Sequence, residues 1–280
     1  MKKRIFTIVG TAMLGFAACV CTIMYTACSS SDDSTPTRTN NTFADKIMGK
    51  WMCTIVDEKH SVTNYYYVLT FVSPTKAYRS FSPTMFQKMG GLWENQAECK
   101  ANIMENGMTI TNNYGTNLTS LSEYTLQSMT ETDMLLVAKH TITYNGEPIE
   151  LPEHNYERFK KITKDYSKDI IGTWEGQITS GHSDYDDGKR HRWEYKADGS
   201  YVYYTLEDDG QWIKYDDSYA NYFVDGVLLC SRWKNNGEDT ENREWWEIET
   251  IENGVMKWTA VRKNDSGNTY TVSFQMTKVQ

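Results

Sequence analysis

An acidic turn in the second half of the chain contains the residues best placed for metal chemistry. Asp184, Asp186 and Asp187 precede Gly188, and spaced carboxylates before a glycine are typical of calcium-binding loops. The glycine stands at the fifth position of such a loop instead of the sixth, and Tyr195 occupies the position that needs a bidentate glutamate. The pattern therefore favours a polar hairpin loop, and we predict no bound metal and no cofactor.

The histidines and possible nucleophiles show no catalytic spacing. His182 and His191 flank the same turn and could approach each other, but a zinc site needs at least a third protein ligand. His60, His140 and His154 are scattered along the chain. No serine, cysteine or threonine lies in a known nucleophile motif, and no carboxylate pair stands out from the other acidic residues. We therefore predict that the protein is not an enzyme.

Large aromatic side chains in the second half are the best candidates for ligand contact, because flat rings stack on sugars and on apolar molecules. The candidate ligand-binding residues are Trp193, Tyr195, Trp246 and Trp258. Trp245 and Trp246 are adjacent, so on one strand they must point to opposite faces. One of the two is then either a half-covered surface residue or a contact for a glycan or another protein.

Three cysteines lie beyond the N-terminal region, at Cys53, Cys99 and Cys230. An odd number in an exported protein predicts at least one free thiol or an intermolecular bond. Cys53 and Cys99 could pair, which spacing alone does not decide. Cys230 follows an apolar run and is predicted to be a small buried core residue.

The first 27 residues have the organisation of an export signal: Lys2, Lys3 and Arg4 precede an apolar run that ends at Ala27. A run of about 20 apolar residues can also span a bilayer, so an uncleaved anchor is the alternative. Tyr25-Thr26-Ala27-Cys28 resembles the lipobox of bacterial lipoproteins. A weaker match ends at Cys19 and would leave an apolar segment at the mature N-terminus.

The lipobox resemblance implies that residues 1–27 are removed and that Cys28 is acylated, which would attach the protein to a membrane. Residues 28–44 are rich in Ser, Thr, Asn and Asp and are predicted to form a flexible linker. The acidic residues after Cys28 resemble the export tag of Bacteroidetes surface lipoproteins, although an ordinary polar tether has the same composition. Asp33-Ser34-Thr35 resembles the O-glycosylation site of the same bacteria, with Ser34 as the acceptor. The implied location is the outer membrane, on the cell surface.

Composition and charge disfavour two classes of partner. The chain has 280 residues, 39 % of them hydrophobic and 24 % charged, with a formal net charge of −8. Nucleic-acid binding requires a basic surface, so we predict no nucleic-acid partner. The same negative balance disfavours electrostatic docking on anionic lipid.

Turn residues and alternating patterns predict an all-β protein. Eight Asn-Gly or Asp-Gly pairs, which favour tight hairpin turns, punctuate residues 106–254. In His191–Lys196 the rings of Trp193 and Tyr195 alternate with charged side chains, as expected for a strand with one buried face. Only residues 84–93 have the spacing of a short helix.

The chain repeats itself, because Ile47-Met48-Gly49-Lys50-Trp51 returns 123 residues later as Ile170-Ile171-Gly172-Thr173-Trp174. The segment beginning at Tyr124 matches the one at Trp246, and the segment beginning at Phe159 matches the one at Met276, at similar offsets. We therefore predict two domains, at residues 45–163 and 164–280, each large enough to fold.

A Gly-x-Trp on the first strand, followed by an antiparallel meander, resembles the lipocalin-like barrels. The resemblance implies two tandem antiparallel up-and-down β-barrels, with Gly49, Trp51, Gly172 and Trp174 closing one end of each. An arginine of the family's last strand normally stacks on this tryptophan. Lys160 and Lys278 are the nearest substitutes in this chain.

Two functions are compatible with this organisation. The first is non-enzymatic binding of a small apolar molecule or a glycan, in or on a barrel, by a lipid-anchored envelope protein. The alternative is a protein–protein interaction module with filled barrels, which docks onto another envelope protein. A cavity in the second barrel would distinguish them, because only the first function requires one.

Overall fold

The structure is a computed structural model that describes residues 42–56, 62–81, 93–149, 155–181, 187–263 and 269–279. The export signal, Cys28, Ser34, His182, most of the acidic turn and nearly all of the predicted helix at 84–93 lie outside these ranges, so those assignments remain predictions. The described residues fold almost entirely into antiparallel β-strands, which confirms the predicted all-β class. No helix in these ranges is long and apolar enough to cross a membrane.

The first barrel is a closed antiparallel sheet preceded by one short helix. Its elements are α1 (Phe43–Ile47), β1 (Gly49–Val56), β2 (Val62–Ser73), β3 (Lys76–Phe81), β4 (Glu94–Met104), β5 (Gly107–Tyr114), β6 (Leu118–Met129), β7 (Asp133–Tyr144), β8 (Glu147–Ile149) and β9 (Asn155–Ile162). Neighbouring strands pair from β1 to β7, β9 pairs with both β7 and β1, and the short β8 extends along the end of β7. Eight strands therefore close the ring, which leaves its interior for side chains.

The second barrel has the same order of strands but is not closed by strand pairing. Its strands are β10 (Gly172–Ser180), β11 (His191–Tyr195), β12 (Tyr201–Leu206), β13 (Trp212–Lys214), β14 (Asp217–Asp225), β15 (Leu228–Asn235), β16 (Asn242–Glu252), β17 (Val255–Lys263) and β18 (Thr269–Lys278). The sheet curls from β13 round to β14, and a single bridge between Ser200 and Asn221 joins its two edges in the described residues. Two tandem antiparallel barrels are thus confirmed, the second with a gap between β13 and β14.

The repeated Gly-x-Trp motif places a tryptophan in the core of each barrel. Trp51 and Trp174 are almost fully buried, and each indole Nε1 donates a hydrogen bond to a carbonyl four residues earlier, at Ile47 O (2.7 Å) and Ile170 O (2.6 Å). A satisfied indole N–H is what allows so large a ring to lie in the core. Across the strand pair lies a lysine of the last strand, which is Lys161 in the first barrel and not Lys160.

The repeat extends one helical turn further toward the N-terminus than the sequence comparison detected. Phe43 and Tyr166 stand 123 residues apart, and both are buried in the cores of their barrels. Thr42 caps α1: its hydroxyl accepts from Asp45 N, and the Asp45 carboxylate accepts from Thr42 N at 3.2 Å. The folded structure therefore includes the exposed cap Thr42 and the buried Phe43, which fall in the range predicted to be linker.

The two barrels share a buried contact. Met52, Tyr66 and Val68 of the first barrel cluster with Leu228, Cys230 and Trp245 of the second. Trp245 and Trp246 do point to opposite faces: Trp246 lies inside the second barrel, whereas Trp245 is covered at 5 % exposure by this contact. The outward tryptophan of the pair is therefore an internal contact between the barrels.

An ion pair at the same contact adds a polar connection. Lys50 of β1 pairs with Asp225 of β14, and the Ser80 hydroxyl of β3 donates to the other carboxylate oxygen of Asp225. Asp225 is 7 % exposed, so its charge requires these partners. Trp93 also packs edge-on against Phe223, with ring centres 5.0 Å apart.

Candidate ligand-binding site

The aromatic wall of the second barrel is built by alternation along β11 and β12. His191, Trp193 and Tyr195 are buried, whereas the charged residues between them face outward. On β12, Tyr201 is buried and Tyr203 is partly covered. This pattern confirms the predicted strand, and it directs a continuous row of rings toward the barrel interior.

A cavity of about 310 Å³ opens where β13 and β14 fail to pair. The chain passes from β13 to β14 through Tyr215 and Asp216, so the side chains of this connection stand at the gap instead of being covered by a paired strand. The residues that line the cavity are Asp187, Trp193, Tyr201, Tyr203, Tyr215, Asp217, Trp233, Asn235, Glu244, Arg262 and Tyr270. A volume of this size is within the range of small-molecule sites.

The aromatic residues of the cavity contact one another directly. The ring centres of Trp193 and Tyr203 lie 5.0 Å apart, and those of Tyr203 and Tyr215 lie 4.7 Å apart. Trp193 is also held edge-on by Trp258, at 5.3 Å between ring centres. Such contacts fix the orientation of the rings, and they leave Tyr215 as the outermost member, with 46 % of its surface exposed.

The basic residue of the cavity lining, Arg262, is paired with groups of the same barrel. Arg262 Nη2 lies 3.1 Å from Glu244 Oε1 and donates to the carbonyl of Trp245 at 3.0 Å. Its guanidinium also stacks on Trp246, 4.6 Å from the ring centre. Arg262 and Glu244 therefore neutralise each other at the wall of the cavity.

Asp217, at the start of β14, is the least satisfied polar residue of the site. Its Oδ1 atom is buried and has no hydrogen-bond partner among the described residues. Burial raises the pKa of this carboxyl, Asp216 beside it raises the pKa further, and Lys214 opposes them. Asn235, directly across the strand pair, also faces the cavity.

A hydrogen-bonded chain orients one of the cavity tyrosines. His191 is fully buried, with Nε2 3.4 Å from Asp187 Oδ1 and Nδ1 2.7 Å from the Tyr203 hydroxyl. When Nε2 carries the proton toward Asp187, Nδ1 accepts the Tyr203 proton. Burial, followed by the charges near it, raises the pKa of Tyr203 far above neutrality, so the phenol stays protonated.

One of the four predicted ligand-binding residues lines the cavity. Trp193 forms its wall, whereas Tyr195, Trp246 and Trp258 belong to the packed core behind it. Tyr203 and Tyr201 could have been found from the alternation along β12. Asp217 and Arg262 had no such signal, because they line the cavity only when strands distant in sequence come together.

The first barrel encloses a polar network instead of an aromatic wall. Glu157 is fully buried, its Oε2 atom accepts from the Tyr67 hydroxyl and its Oε1 atom lies 2.6 Å from His140 Nε2. Burial by itself would raise the pKa of Glu157, but His140, Tyr67 and Arg79 outweigh it and lower the pKa. The carboxylate is therefore ionised and compensated, which is the arrangement of a structural buried charge.

The three cysteines of the described ranges are buried, and they form no disulfide with one another. Cys53 donates to Glu157 Oε2 at 3.5 Å, and burial raises the pKa of both Cys53 and Cys230. A protonated, inaccessible thiol is a poor nucleophile. No group of three metal-binding side chains occurs in the part of the chain that the structure covers.

Comparison with known proteins places the chain in no known family. No protein-family profile matches the sequence, and no curated protein matches it. The solved structures that it resembles include a candidate AttH of Nitrosomonas europaea, with 11 % identity, a TM-score of 0.28 and coverage of 81 % of this chain and 91 % of that chain. A mutant of transferrin binding protein B from Haemophilus parasuis matches with 10 % identity, a TM-score of 0.24 and coverage of 83 % and 75 %. A candidate outer membrane protein from Bacteroides fragilis matches with 12 % identity, a TM-score of 0.19 and coverage of 84 % and 99 %. Similarity is low in sequence and in geometry, so neither a ligand nor a location is carried over from these proteins.

Proposed function

We propose that this protein is a lipid-anchored protein of the cell envelope that binds a small molecule, without chemical conversion, in the cavity of its second barrel. The observation that carries this proposal is the cavity itself, with its aromatic walls and the partnerless Oδ1 of Asp217. A pocket that combines apolar faces with a few directed polar groups is the usual form of a small-molecule site.

The lining favours a ligand with both apolar faces and hydrogen-bond donors. A wholly apolar molecule would fill the space against Trp193 and Tyr203 but would leave the buried Oδ1 atom of Asp217 without a partner, which is unfavourable. A ring that carries polar substituents, such as a unit of a glycan, stacks on the aromatics and supplies donors at its edge. Of the two ligand classes predicted from the sequence, the cavity therefore favours the glycan-like one.

One observation argues against the alternative, an interaction module with filled barrels. That function was predicted to use an outward-facing aromatic residue of the second barrel. Trp245 is such a residue, but the first barrel covers it. A barrel whose interior is filled by side chains also needs no cavity, whereas the second barrel has one.

Lipid anchoring is supported by the residues around Cys28. Cys28→Ala is expected to release the protein from membranes into the soluble fraction, whereas Cys19→Ala, the matched change at the weaker site, is expected to leave it attached. Radiolabelled fatty acid should enter the wild type and the Cys19→Ala variant only. Membrane retention and labelling of Cys28→Ala would refute the anchor.

Ligand binding is tested by native mass spectrometry of the full protein, purified from its own host in a polyoxyethylene detergent that carries neither sugar nor quaternary amine. We expect an added mass that is lost on denaturation and recovered chemically unchanged after prolonged incubation. Tyr215→Ala should reduce its occupancy, while Tyr144→Ala, which removes a tyrosine of similar exposure from the first barrel, should not. A clean protein mass, or equal occupancy in both variants, would contradict the proposal.

A further inference from the structure

Acidic groups outnumber basic ones on the walls of the second-barrel cavity. Asp187, Asp217 and Glu244 face it together with Arg262. Arg262 is engaged by Glu244, at 3.1 Å, and by the carbonyl of Trp245. The negative charge that remains belongs to Asp187 and Asp217. A protonated His191 would balance the charge of Asp187 but not that of Asp217. The cavity therefore carries a negative charge whether or not the imidazole is protonated.

Asp217 marks where a positive group would sit. Its buried Oδ1 atom has no hydrogen-bond partner within the described ranges. A buried carboxylate oxygen in this state lowers stability unless a ligand supplies a donor or a positive charge. Asn235 across the strand pair contributes a neutral polar group beside it.

The aromatic rings that line the cavity with Asp217 are also suited to bind a positively charged group. Trp193, Tyr203 and Tyr215 succeed one another with ring centres 5.0 and 4.7 Å apart, and Trp233 completes the lining. The face of an aromatic ring carries negative potential, and several rings around one space attract ammonium groups, quaternary ones included. Two independent features, a carboxylate and a set of rings, thus select the same charge.

We propose that the cavity selects a small organic cation, with its ammonium group held between Asp217 and the rings of Trp193, Tyr203 and Tyr215. This inference rests on the proposed function, because it specifies the class of ligand that the same cavity binds. A neutral ligand can donate hydrogen bonds to the carboxylate but leaves its negative charge unbalanced, and an anion is repelled by it. An amine-bearing sugar or an alkylammonium ion satisfies both the carboxylate and the rings.

The test uses three probes of nearly equal shape: choline, its neutral isostere 3,3-dimethyl-1-butanol, and the anion 3,3-dimethylbutanoate. Binding to the full protein is measured by isothermal titration calorimetry at low salt, in the same polyoxyethylene detergent. Choline is expected to bind at least about tenfold more tightly than the alcohol, and the anion more weakly than both.

Two acidic residues that are neighbours in sequence provide a matched pair of variants. Asp217→Asn is expected to lower choline affinity to the level of the neutral alcohol and to leave the alcohol affinity unchanged. Asp216→Asn removes the same charge from an exposed position outside the lining and should change choline affinity less than about threefold. Unchanged binding of the alcohol shows that each variant remains folded.

The outcomes separate this inference from the proposed function. Equal affinity for choline and the alcohol, equal effects of the two variants, or tighter binding of the anion would overturn selection of a cation while leaving a functional cavity. Failure of all three probes to bind at millimolar concentration overturns the cation inference. Absence of a native adduct in the host-purified protein is the result that removes the proposed function.

Discussion

The ammonium group of Lys278 lies 5.0 Å from the ring centre of Trp174, directly across the β10–β18 strand pair. Lys161 stands in the same relation to Trp51, at 5.2 Å. Gly172 makes the contact possible: its φ of 132° lies in the region that favours glycine, and a Cβ there would come within 2.6 Å of Lys278 Cε. Because Gly172 has no side chain, the side chain of Lys278 can pass over it and reach the ring of Trp174.

Gly172→Ala is expected to lower the free energy of unfolding by about 2 kcal/mol or more, because the alanine is strained at this φ and displaces Lys278 from the indole. Gly210→Ala is the matched control, since Gly210 has a φ of 80° and no neighbouring atom within 4 Å of the place that an alanine Cβ would take. Its cost should be the backbone strain alone, about 1 kcal/mol. Thermal and denaturant unfolding measure both, and equal costs would show that the lysine contact contributes nothing.

Glu157→Gln is expected to destabilise the protein by about 3 kcal/mol at neutral pH, since it leaves His140 and Arg79 without the buried carboxylate that compensates them. The folded pKa of Glu157 is depressed below its ordinary value of 4.5, so the carboxylate contributes stability above that value. This contribution is lost as pH falls through the lower, folded pKa. Unfolding midpoints measured between pH 7 and 3 should fall less steeply in the variant, and parallel curves would contradict the assignment.

Cys53, Cys99 and Cys230 are expected to resist alkylation in the native protein and to react completely in denaturant, because all three are buried and a raised pKa keeps the Cys53 and Cys230 thiols protonated. Peptide mapping after iodoacetamide treatment gives the result for each cysteine. Rapid native labelling at any of the three, or recovery of a disulfide between Cys53 and Cys99, would contradict the structure.

Trp245→Ala is expected to cost about 3–5 kcal/mol and to separate the unfolding of the two barrels, since this side chain fills the contact between them. Calorimetry should show one transition for the wild type and two for the variant. Trp212→Ala is the control, because Trp212 is a partly exposed tryptophan on β13 of the same barrel. A single transition in Trp245→Ala would mean that other contacts suffice to couple the barrels.

Asp217→Asn is expected to raise stability at neutral pH although it weakens binding. The folded pKa of Asp217 is raised by burial and by Asp216, with Lys214 opposing, so the folded state binds this proton more tightly than the unfolded chain. The free energy of unfolding therefore falls as pH rises from the ordinary value of 3.8 through the folded pKa. The variant should show a higher thermal midpoint than the wild type at pH 7 and no such gain at pH 3. A lower midpoint at pH 7 would show that the carboxylate stabilises the fold.

Local pattern determined much of the architecture. Asn-Gly pairs adopt the positive φ angles of tight turns, as at Asn145-Gly146 and Asn253-Gly254, and alternation along β11 placed Trp193 and Tyr195 on the buried face. The repeat of Gly49 and Trp51 at Gly172 and Trp174 predicted two similar barrels. These features depend on neighbours in sequence, so a single chain is enough to detect them.

The site itself was decided by tertiary structure. Asp217 has no distinguishing sequence context, and it becomes a cavity residue because the curled sheet brings the start of β14 together with residues of strands distant in sequence. Trp246 and Trp258 are of a residue type that often binds ligands, but their rings stack on each other with centres 5.4 Å apart. Both side chains are part of the buried core. Trp245 is buried against Met52, Tyr66 and Val68, which lie more than 170 residues earlier in the sequence. The strand order and the closure of a sheet set such contacts, and a local pattern does not contain them.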